Sequence, residues 1–283
     1  MLHLLQRSLI YLPTCEAQIE PRDAELPPGQ VHTVMARTND RLELRGWHIL
    51  ADGRRAASHE ECDRELTAGR LLVLYFSGNA ANRRYRVPEF RIFTSLGVDV
   101  FIFDYRGYGD NLGSPSEERL AADARTVWRY ATEERKVAPD RIILYGESIG
   151  GGVAVRLAAE LCEADTSPGG LLVRSTFSSL VDAAAHHYPW LPVRLALVDR
   201  YPSIEHVPQV TCPILQIHGR RDVIIPIKFG QRLFEAAPQV SSSGIEKKFV
   251  ELPEAGHNDV NLVAEAEFRE AIRDFLSRLD QEQ

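Results

Sequence analysis

Short runs of apolar residues recur along the chain and predict the strands of a sheet. Each run has the length of a strand and is rich in β-branched or aromatic residues. The runs occupy residues 31–36, 42–50, 71–76, 98–105, 141–146, 170–177, 213–219 and 247–253. The first two alternate apolar with polar residues, as half-exposed antiparallel strands do, whereas the middle runs are almost continuously apolar. Because continuous apolarity is typical of strands covered on both faces, the pattern predicts a mixed, mostly parallel sheet.

Segments with the helical spacing of apolar residues lie between most of these runs. They cover residues 82–96, 116–135, 149–164, 226–237 and 261–279. Parallel strands require crossover connections of this kind, so the order of elements predicts a three-layer α/β fold. We expect one domain spanning residues 1–283. The polar stretches 51–70 and 241–244 are predicted to be loops.

Two segments of the predicted domain depart from this pattern. Residues 1–30 form an N-terminal extension whose apolar start is far shorter than the ~20 residues of a membrane-spanning helix. A terminal segment packed on the domain and a short interfacial helix in peripheral contact with a membrane both fit this start. Residues 178–212 are aromatic and interrupted by proline, and we interpret them as a small lid. Its candidate substrate-pocket residues are Tyr188, Trp190 and Leu191.

A serine lies between two glycines where a predicted strand meets a predicted helix. Gly146-Glu147-Ser148-Ile149-Gly150 matches G-x-S-x-G, the nucleophile elbow, a sharp turn that exposes a serine hydroxyl at the end of a sheet. The glycines leave room for the close backbone contacts of such a turn. A glycine-rich turn with an incidental serine is the alternative, and the segment matches neither common phosphate-binding pattern. We therefore predict a nucleophilic Ser148.

A nucleophilic serine needs a base to take its proton and an acid to orient that base. Asp222 follows the seventh predicted strand and His257 follows the eighth, so both are predicted to lie at the carboxyl ends of strands. The order Ser148, Asp222, His257 is the order of serine hydrolases of the α/β-hydrolase type. Asp259 is too close in sequence to reach the ring nitrogen that faces away from the serine. His218, within a predicted strand, is expected to be buried or bonded to a turn.

The oxyanion that forms during acyl transfer needs backbone N–H donors. The N–H of Ile149, at the start of a predicted helix, is one candidate. The loop after the third predicted strand reads Ser77-Gly78-Asn79-Ala80 and supplies the second. We predict the N–H of Asn79 in preference to that of Ala80, and a glycine turn capped by the asparagine is compatible with this role.

Composition and charge restrict the classes of molecule that this site is expected to bind. The chain has 40 acidic and 33 basic residues and a formal net charge of -7, which disfavours nucleic acid. The cysteines are far apart in sequence and lack metal-binding spacing, which predicts free thiols in a reducing, cytoplasmic compartment and no metal site. A small-molecule substrate is therefore the expected partner.

Several motifs, in this order, resemble the α/β-hydrolase domain-containing serine hydrolases of the Bem46 type. They are YFSGNAAN, FDYRGYGDNLGSPSE, GESIGGG, HGRRDVIIP and AGHND, and LQRSLIYLP resembles the segment by which members of this group enter the domain. The resemblance implies an eight-stranded α/β-hydrolase fold without a cofactor, with nucleophile Ser148, acid Asp222 and base His257. It also implies hydrolysis of carboxylic esters or thioesters, including lipids and acylated proteins. Ser77 stands where these relatives usually have a histidine.

The sequence thus predicts a serine esterase that acts on short to medium acyl chains through an acyl-enzyme at Ser148. A thioesterase acting on acyl-CoA or acyl proteins is the alternative within this class, followed by a peptidase. A non-catalytic binding module is the alternative from another class, since a fold does not by itself prescribe an activity. Dehalogenase and epoxide hydrolase reactions are disfavoured because they need a carboxylate in place of Ser148.

Overall fold

The computed structural model describes the backbone of residues 2–280 and the side chains of residues 6–64 and 66–280. The strands in this part of the chain are β1 (Leu12–Pro13), β2 (Val31–Arg37), β3 (Glu43–Ile49), β4 (Leu72–Phe76), β5 (Ala80–Ala81), β6 (Asp99–Phe103), β7 (Ile142–Glu147), β8 (Gly170–Arg174), β9 (Ile214–Gly219) and β10 (Lys248–Leu252). The α-helices are α1 (Leu2–Ile10), α2 (His59–Thr67), α3 (Val87–Ser95), α4 (Glu117–Arg129), α5 (Ile149–Glu163), α6 (Leu180–His187), α7 (Val193–Ala196), α8 (Ser203–His206), α9 (Ile227–Ala236), α10 (Val260–Val263) and α11 (Glu265–Asp280).

The main sheet has eight strands in the order β10-β9-β8-β7-β4-β6-β3-β2. Strand β3 pairs antiparallel with β2 and β6, and the other neighbouring strands are parallel. Each predicted strand is present, and the antiparallel entry is confirmed. The parallel arrangement brings the carboxyl ends of β4, β7, β8, β9 and β10 to one edge of the sheet, so the loops that follow these strands lie near one another.

Helices cover both faces of this sheet. Leu74 and Leu144 belong to a core cluster that includes buried residues of α4 and α5. Val73 and Ile143, which alternate with them along β4 and β7, belong to a second cluster with buried residues of α3 and α11. Because side chains alternate between the faces of a strand, the two clusters lie on opposite sides of the sheet. The three-layer arrangement predicted from the sequence is confirmed.

The prediction that residues 51–70 form only a loop is wrong, because His59–Thr67 is the helix α2. Ser58 caps this helix, its side chain accepting a hydrogen bond from the N–H of Glu61 (3.3 Å). Cys62 and Leu66 lie one helical turn apart and are both buried. Most of its other residues are charged or polar, so the composition of the segment is that of a loop.

The N-terminal segment packs on two distant parts of the chain. Nε2 of Gln6 donates to the carbonyl of Ala196 (2.8 Å), and Nε of Arg7 lies 3.0 Å from Oδ2 of Asp199. Farther along, β1 pairs in parallel with β5, which lies in the loop after β4. The segment therefore contacts both the 178–212 region and the loop predicted to bind the oxyanion.

Candidate active site

Loops at the carboxyl edge of the sheet bring Ser148, Asp222 and His257 together. Ser148 follows β7, Asp222 follows β9 and His257 follows β10. Nε2 of His257 lies 3.1 Å from Oγ of Ser148, and Nδ1 of the same ring lies 2.7 Å from Oδ2 of Asp222. The three side chains thus form a continuous chain of hydrogen bonds, in which the ring nitrogen opposite the serine faces the carboxylate.

Ser148 occupies a sharp turn between β7 and α5. Its backbone has φ 54° and ψ -117°, a conformation that residues other than glycine rarely adopt. The N–H of Ser148 donates to the carbonyl of Arg174 (2.9 Å), and Oγ1 of Thr176 donates to the carbonyl of Ser148 (2.8 Å). A Cβ atom on Gly150 would lie 2.1 Å from the carbonyl oxygen of Phe76. Glycine is therefore required there for α5 to approach the end of β4.

The carboxylate of Asp222 is held by its own loop. Oδ1 accepts hydrogen bonds from the N–H groups of Ile224 (2.9 Å) and Ile225 (2.7 Å), which leaves Oδ2 to face His257. Burial alone would raise the pKa of Asp222, but hydrogen bonds from His218 and His257 outweigh it and lower the pKa to about 2. The carboxylate is therefore ionised at neutral pH and can orient the imidazole.

The two predicted oxyanion donors lie in segments that pack against each other. Ile149 is the first residue of α5, so its N–H has no acceptor within the helix. The carbonyl of Asn79 accepts hydrogen bonds from the N–H of Leu12 (2.9 Å) and the hydroxyl of Tyr108 (2.8 Å). The side-chain amide of Asn79 donates to the carbonyl of Ile10 (2.9 Å). These contacts fix the backbone around Asn79, and the role of both N–H groups stays a prediction.

Two further residues contact the predicted triad. His218 is buried as predicted, but its Nε2 also lies 3.4 Å from Oδ2 of Asp222. Arg174 ends β8, and its Nη1 donates to the carbonyl of His257 (3.1 Å). The contact between Arg174 and His257 could have been suspected from the sequence, because Arg174 is a charged residue within the apolar run 170–177. Arginine is seldom fully buried unless it is paired.

Comparisons with known proteins identify the family of the chain. The model of the family described as "Serine aminopeptidase, S33" matches residues 70–197. The esterase Pf2001 of Pyrococcus furiosus has the same fold, with a TM-score of 0.67 at 20% identity over 95% of this chain and 98% of that chain. The lysophosphatidylserine lipase ABHD12 of Xenopus tropicalis is 28% identical over 287 residues, which cover 95% of this chain and 70% of the lipase. An uncharacterized protein of Mycobacterium tuberculosis is 38% identical over 274 residues, 96% of this chain and 87% of that protein. The chain belongs to the α/β-hydrolase domain-containing serine hydrolases.

Membership of this family makes the chain a hydrolase. The family and the α/β-hydrolase fold were both expected from the motifs around Ser148, Asp222 and His257, and both are confirmed. The mostly parallel eight-stranded sheet agrees with that fold.

In this hydrolase, the 178–212 region contains the short helices α6, α7 and α8. Nε2 of His187 lies 2.8 Å from the carbonyl oxygen of Ile224, a contact that joins this region to the loop of Asp222. Three large side chains of this region are exposed to solvent: Tyr188 by 51%, Trp190 by 74% and Leu191 by 52%. They form an apolar surface, and their role in a substrate pocket stays a prediction, as does the role of the region as a lid.

Other predictions concern metals, thiols and membranes. Among the described residues, no group of three or more histidine, cysteine, aspartate or glutamate side chains is arranged to hold a metal ion. Within residues 2–280, none of the helices has the length and apolar character needed to cross a membrane. The thiols of Cys15, Cys62, Cys162 and Cys212 are free.

Proposed function

We propose that this hydrolase cleaves carboxylic esters through an acyl-enzyme formed at Ser148. The observation that carries the proposal is the chain of hydrogen bonds from Oγ of Ser148 through the ring of His257 to Asp222, with lengths of 3.1 and 2.7 Å. In this arrangement the hydroxyl has a base within proton-transfer distance, and the base has a fixed anionic partner.

The reaction would have two halves. In the first, Oγ of Ser148 attacks the ester carbonyl carbon while Nε2 of His257 takes the hydroxyl proton. The imidazolium, stabilised by Asp222, then gives this proton to the leaving alkoxide, so that an alcohol departs and an acyl-serine ester remains. In the second half, Nε2 takes a proton from water as the water oxygen attacks the acyl carbon. Return of the proton to Oγ releases the carboxylic acid and restores Ser148.

Each tetrahedral intermediate carries a negative charge on the former carbonyl oxygen. We assign its stabilisation to the N–H groups of Asn79 and Ile149, each contributing about 3 kcal/mol to the transition state. The N-terminal end of α5 adds a favourable dipole at the same place, because α5 begins directly after the nucleophile.

The substrate class is proposed from the apolar surface of the 178–212 region and from the relatives. We infer that Tyr188, Trp190 and Leu191 bind the acyl chain of a short- to medium-chain ester. The similarity to a lysophosphatidylserine lipase supports an ester substrate, and the family description, serine aminopeptidase, makes an amide the alternative to be tested. A lysophospholipid belongs among the esters to be tested for the same reason.

Labelling with a fluorophosphonate probe tests the nucleophile. The wild-type chain should form an adduct on Ser148, and the Ser148→Ala variant should form none. Ser242→Ala is the matched control because Ser242 lies exposed in the loop before β10, and its labelling should equal that of the wild type. An unlabelled wild type, or equal labelling of Ser148→Ala, would contradict the proposal and favour a non-catalytic module.

Substrate comparison tests the bond that is cleaved. We expect the highest kcat/KM with p-nitrophenyl esters of short to medium acyl chains, in a series from acetyl to palmitoyl that also includes lysophosphatidylserine. A higher kcat/KM with acyl-CoA or an S-acylated peptide would assign the chain as a thioesterase instead. A higher value with aminoacyl p-nitroanilides would assign it as a peptidase.

A further inference from the structure

Two arginines and two glutamates meet beneath the candidate active site. We call this group the buried ion cluster, and its members are Arg86, Glu89, Glu147 and Arg174. Glu147 is the residue before the nucleophile, and Arg174 is the last residue of β8. Only 2% of Glu89 and 4% each of Glu147 and Arg174 are exposed. The cluster therefore lies in the interior, directly under the nucleophile elbow.

Arg174 is the centre of this cluster. Its Nε lies 3.1 Å from Oε1 of Glu89, and its Nη2 lies 2.9 Å from Oε1 of Glu147. The hydroxyl oxygen of Tyr75 lies between the two carboxylates, 2.8 Å from Oε2 of Glu89 and 3.1 Å from Oε2 of Glu147, and can donate its single proton to either one. Arg86 completes the balance of charge, with its Nε 3.4 Å from Oε2 of Glu147.

Glu147 keeps its negative charge in spite of burial. Burial alone would raise the pKa of Glu147, but Arg174 and Arg86 outweigh it and lower the pKa to about 2. Buried ion pairs are often no more stabilising than apolar residues of the same volume, because desolvation offsets much of the attraction. Stability alone is therefore a weak reason for placing such a cluster at the centre of the sheet.

The cluster contacts three of the loops that form the candidate site, those after β4, β7 and β10. Nη1 of Arg174 donates to the carbonyl of His257 (3.1 Å), and the carbonyl of Arg174 accepts the N–H of Ser148 (2.9 Å). Nη2 of Arg86 donates to the carbonyl of Ala80 (2.8 Å), in the loop after β4. Arg174 thus contacts the backbone of both the predicted base and the predicted nucleophile.

We propose that Arg174 is a positioning residue, whose guanidinium, held by Glu89 and Glu147, fixes the backbone of His257 at the distance from Ser148 that proton transfer requires. The inference rests on the proposed function, since it assigns His257 as the base. An arginine suits this role because its planar group donates in several fixed directions at once, here to two carboxylates and a carbonyl. A lysine at the same place keeps the charge but cannot reproduce that geometry.

The Arg174→Lys variant tests the proposal, with Arg135→Lys as its matched control. Arg135 is a second buried arginine, hydrogen-bonded to Asp63 and Tyr130. It also contacts His48, which is bonded to Asp99 at the first position of β6, so Arg135 lies at the opposite edge of the sheet from the site. Both variants remove a guanidinium of similar burial, and only Arg174→Lys disturbs the base.

We expect Arg174→Lys to lower kcat for a p-nitrophenyl ester by about 10- to 100-fold, since small displacements of a catalytic group are costly. KM should change by less than about twofold, because the acyl-binding surface is left intact. The rate of fluorophosphonate labelling should fall by the same factor as kcat. Arg135→Lys should lower the melting temperature by about as much as Arg174→Lys does. It should leave kcat and the labelling rate within about twofold of the wild-type values.

A second variant gives an independent measurement if Arg174→Lys does not fold. Glu89→Gln keeps the shape of a side chain on α3 and weakens the hold on Arg174, so kcat should fall by about 3- to 10-fold with KM unchanged. Equal activity losses in Arg174→Lys and Arg135→Lys, or a loss in Arg174→Lys that only follows its unfolded fraction, would overturn the proposal. A wild type that the probe does not label would instead overturn the proposed function, so the two failures are distinct.

Discussion

Nδ1 of His257 lies 2.7 Å from Oδ2 of Asp222, while Oδ1 of the same carboxylate accepts two backbone N–H groups of its own loop. One oxygen therefore fixes the acid and the other fixes the imidazole. A substitution that keeps the shape of the side chain but removes its charge will change the second function more than the first.

The Asp222→Asn variant should lower kcat by about 10⁴-fold with a small change in KM, because the amide can favour the wrong tautomer of His257. Steady-state kinetics with the preferred ester measures this loss. Asp259→Asn is the matched control, since Oδ1 of Asp259 accepts the N–H of Gly256 (2.6 Å) within the same loop as the base. A loss in Asp259→Asn as large as that in Asp222→Asn would move the role of acid to Asp259.

The lowered pKa of Asp222 predicts a dependence of stability on pH. The pKa falls from 3.8 to about 2, so the folded chain binds this proton more weakly than the unfolded chain. The resulting stabilisation is complete above about pH 4 and is lost as the pH falls toward about 2. The difference in free energy of unfolding between wild type and Asp222→Asn should shrink by about 2 kcal/mol across this range. Urea denaturation at a series of pH values measures it, and a difference that does not vary with pH would contradict the prediction.

Tyr108→Phe should weaken catalysis through the predicted oxyanion loop. The substitution keeps the ring and removes the hydrogen bond to the carbonyl of Asn79 (2.8 Å). We expect a loss of kcat of about 3- to 10-fold, since one net hydrogen bond contributes about 1 kcal/mol. Tyr130→Phe is the control, because Tyr130 is also buried and bonds Arg135 at the opposite edge of the sheet. If both variants have the kcat of the wild type, this hydrogen bond does not support the site.

Trp190→Ala tests the assignment of the acyl-binding surface. Because 74% of Trp190 is exposed, its removal should leave the melting temperature nearly unchanged. We expect KM to rise by about tenfold for a medium-chain ester, from the loss of apolar contact, and to stay constant for an acetyl ester. Met35→Ala, which removes an apolar side chain that is 52% exposed on β2, should change neither KM. Equal effects of Trp190→Ala on both esters would place the acyl chain elsewhere.

The strands and the residues of the site can be predicted from the sequence because both depend on local patterns. Apolar runs identify the strands, and a residue just after a strand is placed at the edge of the sheet by its position alone. This is why the sequence alone predicts Ser148, Asp222 and His257 as the catalytic residues. The sequence does not predict the helix α2 because this segment is mostly charged and polar, which is the composition of a loop.

Contacts between distant segments were beyond the reach of these patterns. The approach of His218 to Asp222 depends on the turn after β9, and the meeting of Glu89 with Arg174 depends on where α3 crosses the sheet. A single sequence records neither distance. It does record an arginine at the end of an apolar strand and a glutamate inside the elbow motif, and both are residues that need partners when buried.

The pairing of β1 with β5 makes the predicted oxyanion loop depend on residues far upstream of it. During synthesis, the N–H of Leu12 can bond to the carbonyl of Asn79 only after Asn79 has been made. The ion pair between Arg7 and Asp199 requires a still longer stretch of chain. Because β1 and β5 form a sheet separate from the eight-stranded one, loss of their pairing would alter the predicted oxyanion loop and leave the strand pairing of the main sheet unchanged.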